Sequence, residues 1–166
     1  MDYLKKMTVG LLIIVTTLGT SCNGSIREKD KIDSGIEAVI EKHYLALSTK
    51  NLGLLESTLS PTGGMTLILP ASEVVYGVNA FMDFHKAWFD LPDWTMDYKI
   101  IGIERNISLS HVVVESIYFE PDREGKPYCN RMIITYLLEK SETGWHIIAD
   151  HASSVLKTDY KQEFKH

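Results

Sequence analysis

The sequence predicts an α+β domain in which about three helices pack on one face of a strongly curved antiparallel sheet. Apolar residues recur at helical spacing over residues 34–89, whereas residues 94–153 form long runs rich in Ile, Val, Tyr and Thr. Helices followed by a β-meander are the order expected of an α+β domain. At 166 residues the chain has the length of one domain with a sizeable core.

Three helices are predicted in the first half of the domain. The first begins at Ser34, which forms a capping box with Glu37. Asn51 can cap a short second helix. The third helix is predicted over residues 78–89, directly after Gly77.

Five strands are predicted, over residues 65–69, 94–104, 110–120, 127–140 and 144–153. The short polar segments between the four long strands are typical of hairpin loops. These four strands are therefore expected to pair as antiparallel neighbours.

The first 21 residues have the plan of an export signal and are excluded from the fold. Lys5 and Lys6 make a basic start, and the apolar run over residues 7–18 is too short to span a bilayer comfortably. Small residues then lead to Cys22, an ending that resembles a bacterial lipoprotein signal. The resemblance implies lipidation of Cys22 and anchoring to a membrane of the bacterial cell envelope; an ordinary secretory signal with an incidental cysteine is the alternative.

The chain is accordingly divided into a signal peptide (1–21), a polar tether (22–33), one domain (34–156) and a polar tail (157–166). Lys and Arg number 17 against 22 Asp and Glu, and no basic stripe is present, so nucleic acid is not an expected partner. The two cysteines and six histidines show no metal-binding spacing. No metal or cofactor is therefore predicted.

Three stretches carry a family resemblance that spans nearly the whole domain: the first helix with Tyr44, the Tyr76-Gly77 pair before the third helix, and residues 135–153. On these residues the chain resembles the nuclear transport factor 2-like superfamily, in its SnoaL-like branch. Residues 82–86, Met-Asp-Phe-His-Lys, are also similar to the same helix of the association (hub) domain of calmodulin-dependent kinases. The superfamily includes isomerases, polyketide cyclases and dehydratases, so the fold alone decides little about function.

The hub resemblance implies a central pocket in the cone. A histidine lines that pocket in hub domains, and His85 matches it. Hub pockets also hold arginines on three strands, and an ungapped comparison places Ser116, Tyr136 and Ala152 at those positions. The hub domain's preference for anions is therefore not expected in this chain.

Asp150 and His151 are neighbours on a predicted strand, so they point to opposite faces and form no acid–base pair in one subunit unless a bulge intervenes. The hub comparison assigns the Asp150 face to the pocket. On the last three strands that face carries His146, Ile148, Ala152, Val112, Val114, Ser116, Tyr118, Tyr128, Asn130, Met132, Ile134 and Tyr136. The other face, with Trp145, Ile147, His151, His111, Glu115, Arg131 and Thr135, fits an outer sheet or a dimer surface.

The candidate site residues have alternative interpretations. Asp150 can be a catalytic general base in an apolar cone, as in the isomerase branch, or a carboxylate that hydrogen-bonds to Tyr118, Tyr136 or Asn130. His85 can donate a hydrogen bond to a ligand or serve only in packing. The predicted ligand-binding set is His85, Tyr118, Ser116, Asn130, Tyr136 and, at the rim, Trp94.

The favoured hypothesis is an envelope lipoprotein that binds a small, largely apolar ligand and forms a homodimer through its outer sheet. One alternative is a cofactor-free lyase or isomerase, similar to polyketide cyclases or ketosteroid isomerase. There Asp150 would move a proton while His85, Tyr118 or Tyr136 polarises the substrate. The other alternative is an assembly module like a hub domain, whose pocket has no role.

Overall fold

The computed structural model describes residues 23–159, with side chains over residues 35–155. This part of the chain forms α1 (Asn23–Ser48), α2 (Leu52–Glu56), β1 (Thr66–Ile68), β2 (Val74–Tyr76), α3 (Val78–Phe89), β3 (Thr95–Arg105), β4 (Leu109–Arg123), β5 (Lys126–Ser141) and β6 (Gly144–Asp159). The predicted signal peptide and Cys22 lie outside the described residues. All three predicted helices and all five predicted strands are present.

Regular structure extends beyond both predicted ends of the domain. The helix was expected to begin at Ser34 after a polar tether, but α1 is continuous from Asn23. Residues 23–33 contain no proline and several good helix formers, so the backbone continues through the local capping signal at Ser34. At the other end β6 runs to Asp159, past the expected boundary at residue 156.

The six strands form one sheet in the order β2-β1-β6-β5-β4-β3. Neighbouring strands are antiparallel except β1 and β6, which run parallel. The sheet is strongly curled and the three helices pack on it, so the predicted α+β cone is confirmed. Strand β2, which pairs with β1 and is equally short, was not predicted.

A β-bulge interrupts β6 at Ile148. Leu137 of β5 pairs with Ala149, whereas the next residue, Leu138, pairs with Ile147, so Ile148 is one residue too many. Such an extra residue bends the strand and shifts the alternation of its side chains.

The bulge corrects the predicted faces of β6. Trp145 and Ile147 are buried in the core, and beyond the bulge Asp150 is buried too. The face predicted for Asp150 holds, but the prediction that His146 and Ile148 share it is wrong. His151 is exposed, so it does point away from Asp150.

Helix α1 covers the inner face of the sheet with a stripe of buried side chains at helical spacing. Ile36, Ile40, Tyr44 and Leu47 form this stripe, and Phe81 of α3 packs in the same core. Within residues 23–159, no helix combines the length and apolar character that crossing a membrane requires.

Candidate ligand-binding site

A cavity of about 460 Å³ lies within the cone, a volume typical of small-molecule sites. Most of its wall is apolar and includes Leu47, Leu67, Phe84, Trp88, Met132 and Ile134. Its polar wall residues are few and each has a distinct role. Among the described side chains, no three His, Cys, Asp or Glu residues come together as a metal site.

Asp150 lies in the cavity wall with an unpaired carboxyl group. The residue is 7% exposed, and its Oδ1 atom has no hydrogen-bond partner in the described chain. Burial raises the pKa of Asp150 to about 7, so the protonated and ionised forms coexist near neutral pH. The expected alternative, a carboxylate satisfied by Tyr118, Tyr136 or Asn130, is not formed.

The hydroxyl protons of the two predicted pocket tyrosines are engaged within the protein. Tyr136 donates to the Tyr44 hydroxyl at 3.2 Å. Tyr118 donates to the carboxylate of Glu120 and accepts from the Trp88 indole at 3.4 Å. Burial raises the pKa of both phenols, to about 12 for Tyr118. Neither proton is therefore free to polarise a substrate in this arrangement.

His85 presents an acceptor to the cavity. Its Nδ1 lies 2.8 Å from the Phe81 carbonyl oxygen, which can only accept, so Nδ1 carries the proton. Burial lowers the pKa of His85 to about 4, which keeps the ring neutral. Its Nε2 has no hydrogen-bond partner among the described residues, and His85 lines the cavity, so this lone pair is available to a ligand. The expected donor is thus an acceptor.

His85 and Asp150 share the cavity but do not hydrogen-bond to each other. The His85 ring is held instead by stacking on Phe81, with 4.0 Å between ring centroids. Each residue therefore offers its own polar atom to a ligand.

Arg123 lines the cavity, although the sequence placed it in a hairpin loop. Its guanidinium lies over the Tyr128 ring, 3.4 Å from the centroid. It also donates from Nε to Glu120 at 2.7 Å and forms a second bond through Nη2. The hydrogen bonds from Arg123 lower the pKa of Glu120, so this carboxylate is ionised and balances the arginine.

The remaining predicted ligand contacts differ in position. Asn130 lines the cavity, and its carboxamide makes no hydrogen bond in the described chain. Ser116 is buried, but its hydroxyl donates to the Asp97 carbonyl at 2.9 Å and is not part of the wall. Trp94 stacks on Trp88, with centroids 4.4 Å apart, and supports the wall without lining it.

The sheet register gives the cavity two ends. Tyr136 pairs with Asp150, whereas Asn130 pairs with Tyr118 near the Arg123–Glu120 pair. Six residues of extended strand separate Asn130 from Tyr136, a distance of about 20 Å. We call the Asp150 end the inner end and the Arg123 end the mouth.

Comparison with known proteins assigns the family. The model of the SnoaL-like domain family matches residues 36–157. The chain belongs to the SnoaL-like domain family, as the sequence predicted. No curated protein sequence matches the chain.

Solved structures share the fold at low identity. A nuclear transport factor 2-like superfamily protein from Salmonella enterica has a TM-score of 0.66 at 14% identity and covers 82% of this chain and 99% of its own. The hexachlorocyclohexane dehydrochlorinase LinA-type3 from Novosphingobium barchaimii reaches 0.71 at 10% identity, over 81% and 93%. A candidate calcium/calmodulin-dependent protein kinase type II association domain from Thiobacillus denitrificans reaches 0.63 at 17% identity, over 72% and 94%. These likenesses establish the fold and leave the activity open.

Proposed function

We propose that the domain binds a small, uncharged, largely apolar molecule whose hydroxyl or N–H group points to the inner end of the cavity. The observation that carries this proposal is the apolar cavity with two lining groups that have no hydrogen-bond partner in the described chain, the Asp150 carboxyl and Nε2 of His85. An apolar wall with a few placed polar groups is the usual composition of such sites.

The charges in the wall favour an uncharged ligand. His85 is neutral, so Arg123 is the sole cation among the described lining residues. Glu120 already balances its charge. An anion at the inner end would lie beside the Asp150 carboxyl without a counter-charge, which is unfavourable in an apolar cavity.

The hydrogen-bond roles favour a hydroxyl group. Nε2 of His85 accepts only, so the ligand must supply a donor there. Asp150 can donate when protonated and accept when ionised, and its pKa of about 7 makes both forms available. A hydroxyl group serves both partners.

A completely filled pocket would have favoured the third predicted role, an assembly module like a hub domain. The cavity beside Met132, Ile134 and Tyr136 is open instead, and this favours ligand binding.

Three bicyclic probes test the proposal: 2-naphthol, naphthalene and 2-naphthoate, with affinities measured by fluorescence titration. We expect 2-naphthol to bind at least about tenfold more tightly than either of the others, since one satisfied polar contact is worth about 1.4 kcal/mol. Equal binding of all three, or tightest binding of 2-naphthoate, would contradict the proposal.

Two variants locate the effect. His85→Phe keeps an aromatic ring against Phe81 and removes the acceptor, so it should abolish the preference for 2-naphthol over naphthalene while naphthalene still binds. His151→Phe, on the outer face, is the matched control and should leave the preference intact. A preference that survives His85→Phe would remove His85 from the site.

Asp150 supports a second candidate function, a cofactor-free lyase or isomerase. Its carboxylate would take a proton from carbon, leaving the electron pair on the substrate. One structural neighbour is named as a dehydrochlorinase, which fits this class of chemistry. Because Tyr118 and Tyr136 have engaged protons, Asp150 is the residue on which this candidate depends.

Proton exchange tests this candidate without a known substrate. The protein is incubated with 2-tetralone in deuterated water. Removal of the proton beside the carbonyl gives an enolate, which then takes deuterium from solvent. Proton NMR should show exchange faster than the buffer rate and no acceleration with Asp150→Asn. Equal rates with and without wild-type protein would reject the enzyme hypothesis.

We also propose that Cys22 is lipidated and anchors the domain to a membrane of the bacterial cell envelope. The support is the sequence pattern of residues 5–22. Mass spectrometry of the mature N-terminus should find a lipid-bearing cysteine at position 22, lost in Cys22→Ser. An unmodified start elsewhere would overturn this proposal.

We propose in addition a homodimer formed through the outer face of the sheet. This face carries the half-buried apolar residues Val113, Ile117 and Ile133. Light scattering should show a dimer that Ile117→Asp converts to a monomer. Ile107→Asp, at an exposed hairpin position, is the control and should stay dimeric. A monomeric wild type would exclude this interface.

A further inference from the structure

A second concave region, which we call the cleft, shares no lining residue with the cavity. It measures about 600 Å³ and lies between α1, residues 57–58 and the start of β6. One wall is formed by α1, through Gly35, Val39 and Lys42. The opposite wall is formed by Lys140 and residues 143–146.

The cleft contains positive charge that no described side chain balances. Lys42 is half-buried there, and Lys140 lies beside Trp145 with its ammonium 5.9 Å from the ring centroid. Neither lysine forms an ion pair in the described chain, and no Asp or Glu is among the described lining residues. In a chain of net charge −5 such a concavity concentrates positive potential.

An unpaired N–H group lies in the same wall. Trp145 is only 5% exposed, and its Nε1 has no acceptor in the described chain. The other two indole groups differ: Trp88 donates to Tyr118 and Trp94 donates to the Trp88 carbonyl. A buried N–H without an acceptor costs free energy, which a ligand oxygen would recover.

His146 adds no second donor to the cleft. Its Nδ1 is buried and unpaired, while its Nε2 lies 2.9 Å from the Thr143 hydroxyl. That hydroxyl is also 2.9 Å from the Ser141 hydroxyl. Ser141 donates to the Gly144 carbonyl at 3.3 Å, so the Thr143 hydroxyl donates to Ser141 and accepts from Nε2. The proton of the neutral ring therefore resides on Nε2, and Nδ1 is an acceptor.

We propose that the cleft binds an oxyanion, a carboxylate or phosphate group, through Lys42, Lys140 and the indole N–H group of Trp145. Two ammonium groups supply the counter-charge, and the indole nitrogen supplies a directed donor. The site is independent of the ligand in the cavity, so either proposal can fail without the other.

Titration with inorganic phosphate, and separately with acetate, tests the site by NMR of the indole N–H signals. The signal of Trp145, identified by its loss in Trp145→Phe, should shift with saturation. The signals of Trp88 and Trp94 should stay in place, because their N–H groups already have acceptors. Saturation by phosphate alone or acetate alone distinguishes the two anion classes, and either result supports the site.

Paired lysine variants test the charge requirement. Lys42→Gln combined with Lys140→Gln should weaken binding at least about tenfold. Lys99→Gln, an exposed lysine on β3, removes the same type of charge far from the cleft and should leave binding unchanged. A Trp145 signal that does not respond to either anion, or one that responds equally in the double variant, would overturn the proposal.

Discussion

The cavity and the cleft are lined by the same strand, yet they treat charge in opposite ways. β6 contributes Trp145 and His146 to the cleft and, beyond the bulge, Asp150 to the cavity. In the cavity the arginine is balanced by Glu120, and one of the unpaired groups is an acid. In the cleft the unpaired groups of the described residues include two ammonium groups and the indole N–H of Trp145.

The difference shows how a buried group can avoid the cost of an unpaired charge. A carboxyl group in an apolar wall can take a proton near neutral pH, and the pKa of Asp150 at about 7 permits this. An ammonium group ordinarily keeps its charge and needs a partner. The cavity is therefore suited to neutral molecules, and the cleft to anions.

The largest expected effect contrasts the packing of the two walls. Trp145 is 5% exposed and packs against α1, whereas Trp88 is only half-buried. Trp145→Ala should lower the free energy of unfolding by about 4 kcal/mol and Trp88→Ala by about 2 kcal/mol, because the substitution of Trp88 removes less buried surface. Urea denaturation measures both. Equal losses would show that the cavity wall is packed as tightly as the cleft wall.

The charge of Asp150 should appear in the pH dependence of stability. Its pKa is about 7 in the folded chain and near 3.8 when unfolded, so the folded state binds more protons between these values. Stability from this group is present at low pH and is lost as pH rises toward the folded pKa.

Asp150→Asn removes that dependence. Relative to wild type it should be neutral at about pH 4 and more stable by roughly 2–4 kcal/mol at about pH 8. The buried histidines contribute equally to both proteins and cancel in the difference. Denaturation at several pH values checks this, and a constant difference across the range would contradict the raised pKa.

Glu120→Gln should make the mouth of the cavity resemble the cleft. The amide oxygen can still accept from Tyr118, but Arg123 loses its counter-charge. Affinity for 2-naphthoate should rise about tenfold, equivalent to about 1.4 kcal/mol. Glu139→Gln, on an exposed part of β5, is the matched control. Unchanged naphthoate affinity in Glu120→Gln would mean that Arg123 is not the group that decides charge selectivity.

The smallest expected effect concerns the helix beside the cleft. Alanine at Gly35 would place a Cβ 3.0 Å from Cδ1 of the buried Trp145 ring. We expect a loss of about 1 kcal/mol despite the better helix propensity of alanine. At Gly53 of α2 the new Cβ would meet only ordinary contact, 3.7 Å from Asn51 Oδ1. Gly53→Ala should therefore be neutral or stabilising, and thermal unfolding of both variants tests the contrast.

Local patterns predicted the parts of the fold that depend on local chemistry. The bounds of α3, the Asn51 cap of α2 and the opposite orientations of Asp150 and His151 all follow from neighbouring residues. The start of α1 was not predicted correctly. A capping box is compatible with a helix start, but a helix can also continue through it, as α1 does at Ser34.

The site residues that sequence missed depend on pairing across strands. Arg123 reaches Glu120 because β4 continues to the tight turn at Glu124 and Gly125, which both have positive φ angles. No residue type marks the bulge at Ile148. The acceptor role of His85, in contrast, could have been inferred from the local sequence. Phe81 lies one helical turn before His85, so its carbonyl oxygen can accept the Nδ1 proton.

The extra residue in β6 also has a consequence for aligning relatives. Ile147 and Asp150 both point inward although their spacing is odd. In a relative with an uninterrupted strand, two inward residues must be separated by an even number of positions. An alignment without a gap at Ile148 would thus match Asp150 to an outward residue whenever it is anchored on Trp145. Asp150 can be traced through the family only where that gap is placed.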